Sequence, residues 1–336
     1  MEIDFQPHRI PELWFEDGNI VIQAGNSQFR VHRGILAACS PVFQDMLSVP
    51  QPPESELVEG CPLVRLSDHS EEVAVFLKAI FEPNYFMPFP AKTEYSIIRG
   101  CLRLAHKYEV EHLRLRALVH LSSRYRTSLG ERDTCNTDES SADGSFNLSQ
   151  IASWPIPGQQ GHLVSVIQFA REVEALWILP DAFYRLSSIV LKDLPELLFS
   201  QSVFDGQASC FNVQDQKACL YGHTVQTKAS ATHIAAIFSA DHPPDCTTPA
   251  VCRQERICAI NSMLLAISTC ASIPLDIWCD EDVPKTCGVC LTSLQAAHRR
   301  ARQEFWNRMP SMYGLPPWEE LEKMKTEAIG VQWWLS

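Results

Sequence analysis

The chain has 336 residues, of which 46% are hydrophobic and 20% are charged, as is typical of a protein with a packed core. Its length is sufficient for about two domains. The formal net charge of −12 at pH 7 opposes the binding of phosphate groups, so we expect no nucleic-acid partner.

The sequence carries no export or membrane signal that we recognise. Residues 1–5 include acidic side chains where a signal peptide would be positively charged, and no apolar stretch follows them. The longest apolar run, residues 263–273, contains three hydroxyl residues and is too short to span a bilayer. We therefore expect no membrane partner and an intracellular protein, in the cytoplasm or the nucleus.

The first predicted elements are strands. The segment Asp17-Gly18-Asn19 is a turn signal, and the apolar residues 20–22 that follow predict a buried strand. A second turn at residues 25–27 precedes an alternation of apolar and polar residues in which Phe29 and Val31 share one face. A β-hairpin is predicted.

The period changes to helical from Gly34. Ser40 and Pro41 divide two helical runs, with Ser40 placed as N-cap and Pro41 as the first residue of the second helix. A short strand is predicted at residues 63–66 and a helix from Ser67 onward, followed by two more helices before residue 126.

The composition shifts between residues 127 and 161. The segment 131–145 is mostly polar, acidic or small, and such a segment buries too little apolar area to offset its ordering entropy. We predict a polar acidic linker or long loop at 127–161. A mainly helical, cysteine-bearing domain follows at 162–336, with helices at 163–179, 181–191, 229–238, 253–271, 291–305 and 318–327.

Five segments in order resemble the core signature of the BTB/POZ domain. They are 17–22 (DGNIVI), 29–33 (FRVHR), 36–37 (LA), 40–43 (SPVF) and 63–66 (LVRL). The resemblance covers residues 12–126 and leaves 1–11 as an N-terminal tail. Trp14 and the segment 179–184 (LPDAFY) further resemble the BTB-domain proteins of fungi.

The resemblance implies an α+β fold, a small β-sheet flanked by helical hairpins, and a role in binding other proteins. Family members are commonly homodimers or adaptors. It also implies a charged pocket at the dimer interface, formed here by Asp17 and Arg33, and a hydrogen-bonded core position for His32. The helix that usually precedes the first strand is not expected, because Pro7 and Pro11 oppose it.

Some BTB proteins contact a cullin scaffold through an apolar-x-Glu motif in the loop that follows the Ser-Pro-x-Phe helix. Leu57, Val58 and Glu59 match that pattern here. The resemblance therefore offers a cullin as a partner, and a solvated acidic loop is the alternative.

Thirteen cysteines are unusual for a chain without an export signal, and their odd count opposes a disulfide framework. Cys287 and Cys290 have the two-residue gap with which two thiolates chelate one tetrahedral ion. The second pair would be Cys246 and Cys252, or would draw on Cys258 or Cys279. Structural zinc is one hypothesis, and reduced thiols packed as small apolar groups are the other.

Short enzyme signatures are absent: the sequence has no phosphate-binding glycine-rich loop, no G-x-S-x-G and no H-E-x-x-H. We therefore predict a binding protein without catalytic residues and without a cofactor apart from the zinc. Two alternatives stay open, a substrate adaptor of a cullin-type ubiquitin ligase and an enzyme in the helical half.

Overall fold

The structure, a computed structural model, describes part of the chain. The described residues are 7–49, 56–136, 152–157, 161–189, 192–200, 202–204, 207–239, 242–269, 274–277 and 285–330. They form an α+β half over residues 8–122 and a mainly helical half over residues 161–329, which confirms the predicted fold class.

The α+β half contains a sheet whose described strands run in the order β1-β3-β2-β5-β4. The hairpin of β2 and β3 is antiparallel, and β5 joins β2 in parallel. The hairpin turns at Gly25, where a φ of 53° suits glycine. The strands are β1 His8–Trp14, β2 Ile20–Ala24, β3 Ser27–Val31, β4 Leu57–Val58 and β5 Cys61–Leu66.

The predicted N-terminal tail, residues 1–11, differs from the structure. Strand β1 begins at His8 and includes Pro11, although residues 1–6 lie outside the described residues. Proline cannot donate to a sheet ladder, and it is tolerated here because β1 is an edge strand whose register against β3 shifts between Arg9 and Trp14. An edge strand therefore begins within the segment predicted to be a tail.

Five helices complete the α+β half, at positions close to those predicted. Ser40 caps the second of them, and its side chain accepts a hydrogen bond of 3.0 Å from the backbone N–H of Phe43. The third begins at Ser70 rather than Ser67. The helices are α1 Arg33–Cys39, α2 Pro41–Ser48, α3 Ser70–Phe81, α4 Tyr95–Lys107 and α5 Glu111–Ser122.

The helical half is built around a long helix, α10, which packs against α8, α11 and α12. Two short strands, β6 Ser202–Phe204 and β7 Gln207–Ser209, form a hairpin beside α7. The helices after α5 are α6 Leu129–Asn136, α7 Gly161–Glu172, α8 Leu179–Ser187, α9 Leu194–Phe199, α10 Val213–Ser239, α11 Pro249–Thr269, α12 Gly288–Met312 and α13 Trp318–Ile329.

The predicted linker, residues 127–161, also differs from the structure at both of its ends. Helix α6 forms within it, and Arg132 of that helix is hydrogen-bonded at 2.9 Å to Asp181. Trp154 is 1% exposed and donates from its indole N–H to the His120 carbonyl at 2.9 Å. Ion pairing and one large aromatic side chain thus order stretches that composition alone predicted to be loose. Residues 137–151 and 158–160 lie outside the described residues.

One hydrophobic core continues through both halves. Tyr95 of α4 contacts Phe204 in β6 with ring centroids 5.6 Å apart, and its hydroxyl lies 3.3 Å from the Ser165 hydroxyl in α7. Trp177 donates to the Ser122 hydroxyl at 3.0 Å. The helical half therefore packs directly on α4 and α5 of the α+β half.

Among the described helices, none combines the length and the apolar character needed to cross a membrane.

Candidate functional site

The first candidate surface surrounds the turn between β1 and β2. Asp17 lies in this turn with a side chain that is 85% exposed, and its carboxylate is 3.4 Å from Nε2 of His32. His32 precedes α1 and packs its ring near Phe15 and Phe81. His32 is therefore a partly buried residue with a surface partner, closer to solvent than the predicted core position.

Arg33 and Asp17 have different partners within one chain. The backbone N–H of Arg33 donates to the Asn19 side chain at 2.8 Å, and its guanidinium donates to the Leu47 carbonyl at the end of α2. The charged pocket predicted from Asp17 and Arg33 thus remains a prediction about a dimer.

The motif Leu57-Val58-Glu59 lies at the other edge of the sheet. Leu57 and Val58 form β4, an edge strand rather than a loop, and Leu57 is 59% exposed. Glu59 begins the turn to β5, and its carboxylate is 2.5 Å from Arg9 and 3.4 Å from Arg30. Glu59 therefore forms ion pairs with arginines of β1 and β3, and its carboxylate stabilises the sheet.

The second candidate is the four-cysteine cluster, formed by Cys246, Cys252, Cys287 and Cys290. Cys246 lies three residues before α11 and Cys252 in its first turn, whereas Cys287 immediately precedes α12 and Cys290 lies in its first turn. Helix α10 packs against both α11 and α12, and the cluster shows that the starts of these two helices lie close together. The structure thus joins the ligand set that the sequence predicted.

The two alternative cysteines have different positions. Cys258 is exposed on α11, where Gln254 approaches its sulfur at 3.7 Å. Six residues along an α-helix rotate the side chain by about 240°, so Cys258 faces away from Cys252. Cys279 lies outside the described residues.

The sulfur atoms of the cluster have the spacing of metal ligands. All four lie within 4.8 Å of one another, with Cys246 3.4 Å from Cys290 and 3.8 Å from Cys287. A disulfide would need about 2.05 Å. Tetrahedral bonds of about 2.3 Å from zinc to sulfur place neighbouring sulfurs about 3.8 Å apart. The cluster is therefore spaced for one tetrahedral ion.

Polar groups surround the sulfurs. The backbone N–H of Cys287 donates to the Cys252 sulfur at 3.3 Å, and the Thr248 hydroxyl lies 3.3 Å from that same sulfur. Nδ1 of His242 lies 3.7 Å from the Cys290 sulfur. No sequence pattern pointed to Thr248 or His242, although a threonine before Pro249 is a typical helix N-cap.

The four cysteines differ in the pKa of their thiols. Backbone N–H groups of Cys290 and Thr247 lower the pKa of Cys287 to about 5, and the Cys287 N–H and the Thr248 hydroxyl lower the pKa of Cys252. Burial raises the pKa of Cys290 to about 12. A bound cation would stabilise the thiolate form of all four.

A family model identifies the α+β half. Residues 15–124 match the BTB/POZ domain, within the range 12–126 predicted from the sequence. No curated protein and no solved structure matches the chain. The match covers about a third of the chain and ends before the four-cysteine cluster.

Proposed function

Because residues 15–124 form a BTB/POZ domain, a protein-interaction module, we propose that the chain pairs with a second copy of itself through the surface around α1. We call this surface the α1 surface and define it by Asp17, His32, Arg33, Ile35 and Val49. The observation that carries the proposal is its combination of apolar exposure and charge. Ile35 is 42% exposed and Val49 is 60% exposed.

Contacts within the chain connect the members of the α1 surface. Asp17 pairs with His32, whose carbonyl accepts from the Ile35 N–H at 3.2 Å. Arg33 reaches the Leu47 carbonyl, two residues before Val49. Burying Ile35 and Val49 against a second copy would remove apolar area from water, at about 25 cal/mol per Å². The exposed Asp17 carboxylate would meet a basic group such as Arg33 of the second copy.

The experiment needs the full chain, because the halves share one core. A fragment of residues 1–126 would leave Tyr95 without Phe204 and Ser122 without Trp177. Its association would then report newly exposed apolar surface rather than a native interface.

Light scattering on the full chain at concentrations on the order of tens of micromolar tests the pairing, since this range detects weak interfaces. We expect the mass of a dimer for the unchanged protein and of a monomer for Ile35→Glu. The matched control is Val213→Glu, which places the same charge at a 64% exposed valine of α10 and should leave the dimer intact. A monomer for the unchanged protein, or a dimer that survives Ile35→Glu, would reject the proposed interface.

A cullin adaptor is the second candidate, favoured by the exposed Leu57 on an edge strand. Glu59→Lys is an ambiguous test, because it also breaks the ion pairs with Arg9 and Arg30. Leu57→Lys is cleaner: it should abolish co-purification with a cullin while the thermal unfolding midpoint stays unchanged. Absence of a cullin in the pull-down of the unchanged protein would end this candidate.

We also place the protein inside the cell, in the cytoplasm or the nucleus, and assign it binding rather than catalysis. The support for the compartment is the BTB/POZ domain, whose family is typically intracellular. The support for binding is the BTB/POZ domain itself, while an enzyme in the helical half stays the alternative.

A further inference from the structure

We propose that the four-cysteine cluster binds one zinc ion, which fastens the N-terminus of α11 to the N-terminus of α12. This site lies in the helical half, outside the BTB/POZ match, and is independent of the α1 surface. Its role is structural, because four thiolates complete a tetrahedral shell and leave no position for water or substrate.

The first support is that the N-terminal region of each helix contributes one pair. Cys246 and Cys287 lie in the segments that lead into the helices, and Cys252 and Cys290 lie in the first turns. The helix N-termini supply partial positive charge and backbone N–H groups, of which the Cys287 N–H is 3.3 Å from the Cys252 sulfur. Four thiolates with one divalent cation carry a net charge of −2. Hydrogen bonds from these N–H groups reduce the free-energy cost of holding that charge in the protein.

The second support is the small core at this end of the helical half. Ile237, Phe238 and Leu294 form a cluster that is separate from the main core and is surrounded mostly by alanine and isoleucine. Within the part of the chain whose side chains are described, this cluster is small and adds limited hydrophobic stabilisation at this end of α10, α11 and α12. A metal that ties the starts of α11 and α12 together would stabilise this end where packing is thin.

The donor set restricts the metal. Four sulfur ligands in tetrahedral arrangement suit zinc or iron, whereas magnesium and calcium prefer oxygen, so elemental analysis must measure both zinc and iron. A disulfide is the competing chemistry, and it would require the Cys246 and Cys290 sulfurs to close from 3.4 Å to about 2.05 Å. The experiment therefore has to distinguish zinc from both free thiols and a disulfide.

Elemental analysis of the full chain, expressed in zinc-replete medium and purified without chelator, is the first measurement. We expect close to one zinc per chain. Cys290→Ser should lose the metal. Cys258→Ser is the matched control, because it removes an exposed thiol from the same helix that carries Cys252, and it should keep the metal.

A second measurement needs no variant and covers the case in which Cys290→Ser does not fold. The unchanged protein is stripped with chelator under reducing conditions, titrated with zinc and alkylated, and the modified cysteines are mapped by mass spectrometry. We expect zinc to protect Cys246, Cys252, Cys287 and Cys290, and to leave Cys258 reactive. Cobalt(II) in place of zinc should give the intense visible absorption of a tetrahedral thiolate complex.

Three results would overturn the proposal. They are zinc-free protein from zinc-replete medium, a disulfide between members of the cluster in freshly purified protein, and protection of a different set of cysteines.

Discussion

Arg302 of α12 holds Asp133 of α6 through two hydrogen bonds of 2.6 and 3.0 Å, although the two residues are 169 positions apart. The guanidinium also donates to the Leu275 carbonyl at 2.8 Å, and its side chain is 8% exposed. A segment that is polar in composition is thus anchored to the far end of the chain.

Removing Arg302 should destabilise the protein markedly. We expect Arg302→Ala to lower the free energy of unfolding by about 3 kcal/mol, because it leaves the Asp133 carboxylate partly buried without this partner. Arg300→Ala, on the exposed side of the same helix, should stay within about 0.5 kcal/mol of the unchanged protein. Urea unfolding measures both, and equal effects would contradict a specific role for Arg302.

Gly222 should not tolerate a methyl group. A Cβ atom at this position of α10 would lie 2.3 Å from Cε1 of Tyr313, whose buried ring stacks on Phe183. We expect Gly222→Ala to cost about 1–3 kcal/mol through overpacking, against a gain in helix propensity of about 1 kcal/mol.

The control for this substitution is Gly130→Ala in α6, where a Cβ would meet nothing within 4 Å. It should leave the thermal unfolding midpoint unchanged or slightly higher. A raised midpoint for Gly222→Ala would show that Tyr313 can move aside at no cost, because the gain in helix propensity would then be the only effect.

His298 should make stability fall at acidic pH. Burial, and then the charges of Arg302 and His233, lower the pKa of His298 to about 4. The unfolded chain, with an ordinary histidine pKa of about 6.5, binds more protons below that pH than the folded chain does. The contribution of His298 to the free energy of unfolding is therefore present above about pH 6.5 and is lost as the pH falls toward about 4.

Asp276 changes the stability with pH in the opposite direction. The test of His298 is therefore the difference in unfolding free energy between the unchanged protein and a His298 variant. Asp276 is exposed, but desolvation by the protein around it raises its pKa to about 6 against the attraction of Arg132 and Arg302, and its contribution to stability grows as the pH falls through that value. We expect the difference in unfolding free energy between the unchanged protein and His298→Asn to shrink between about pH 7 and pH 5. A difference that does not vary with pH would contradict a partly buried, neutral His298.

Thr248 should tune the proposed zinc site without ligating the metal. Its hydroxyl lies 3.3 Å from the Cys252 sulfur, and its carbonyl accepts from the Cys252 N–H at 2.9 Å. We expect Thr248→Val to weaken zinc binding about 10-fold, as measured by chelator competition, because the ligand loses a hydrogen-bonding neighbour. Thr248→Ser keeps the hydroxyl and should keep the affinity, so equal weakening in both variants would assign the effect to packing.

The fold of the α+β half was predictable where local rules decide it. The Ser40 cap and the hairpin turn at Gly25 follow from residue type and spacing, and both are observed. Helix α10 was predicted only over residues 229–238 but runs from Val213 to Ser239. It packs against three helices on different faces, so its apolar residues follow no single period.

The cysteine pair Cys287 and Cys290 was recognisable from spacing, but its partners were not unique. Only the three-dimensional arrangement separates Cys252 from Cys258, because the turn of α11 points one inward and the other outward. The ion pairs of α6 could not be predicted either. Charged residues such as Arg132 look the same in the sequence whether they form a buried ion pair, here with Asp181, or lie in a solvated loop. Hydrophobic patterns do not report which charges find partners.

The continuous core between the two halves links the binding of a partner to the abundance of the protein. If the chain unfolds as one cooperative unit, a partner bound to the α+β half protects the helical half by mass action. A partner present at 100 times its dissociation constant would add about 2.7 kcal/mol to the unfolding free energy of the whole chain. Copies without a partner would open more often and reach proteases sooner, so the abundance of this protein would follow that of its partner.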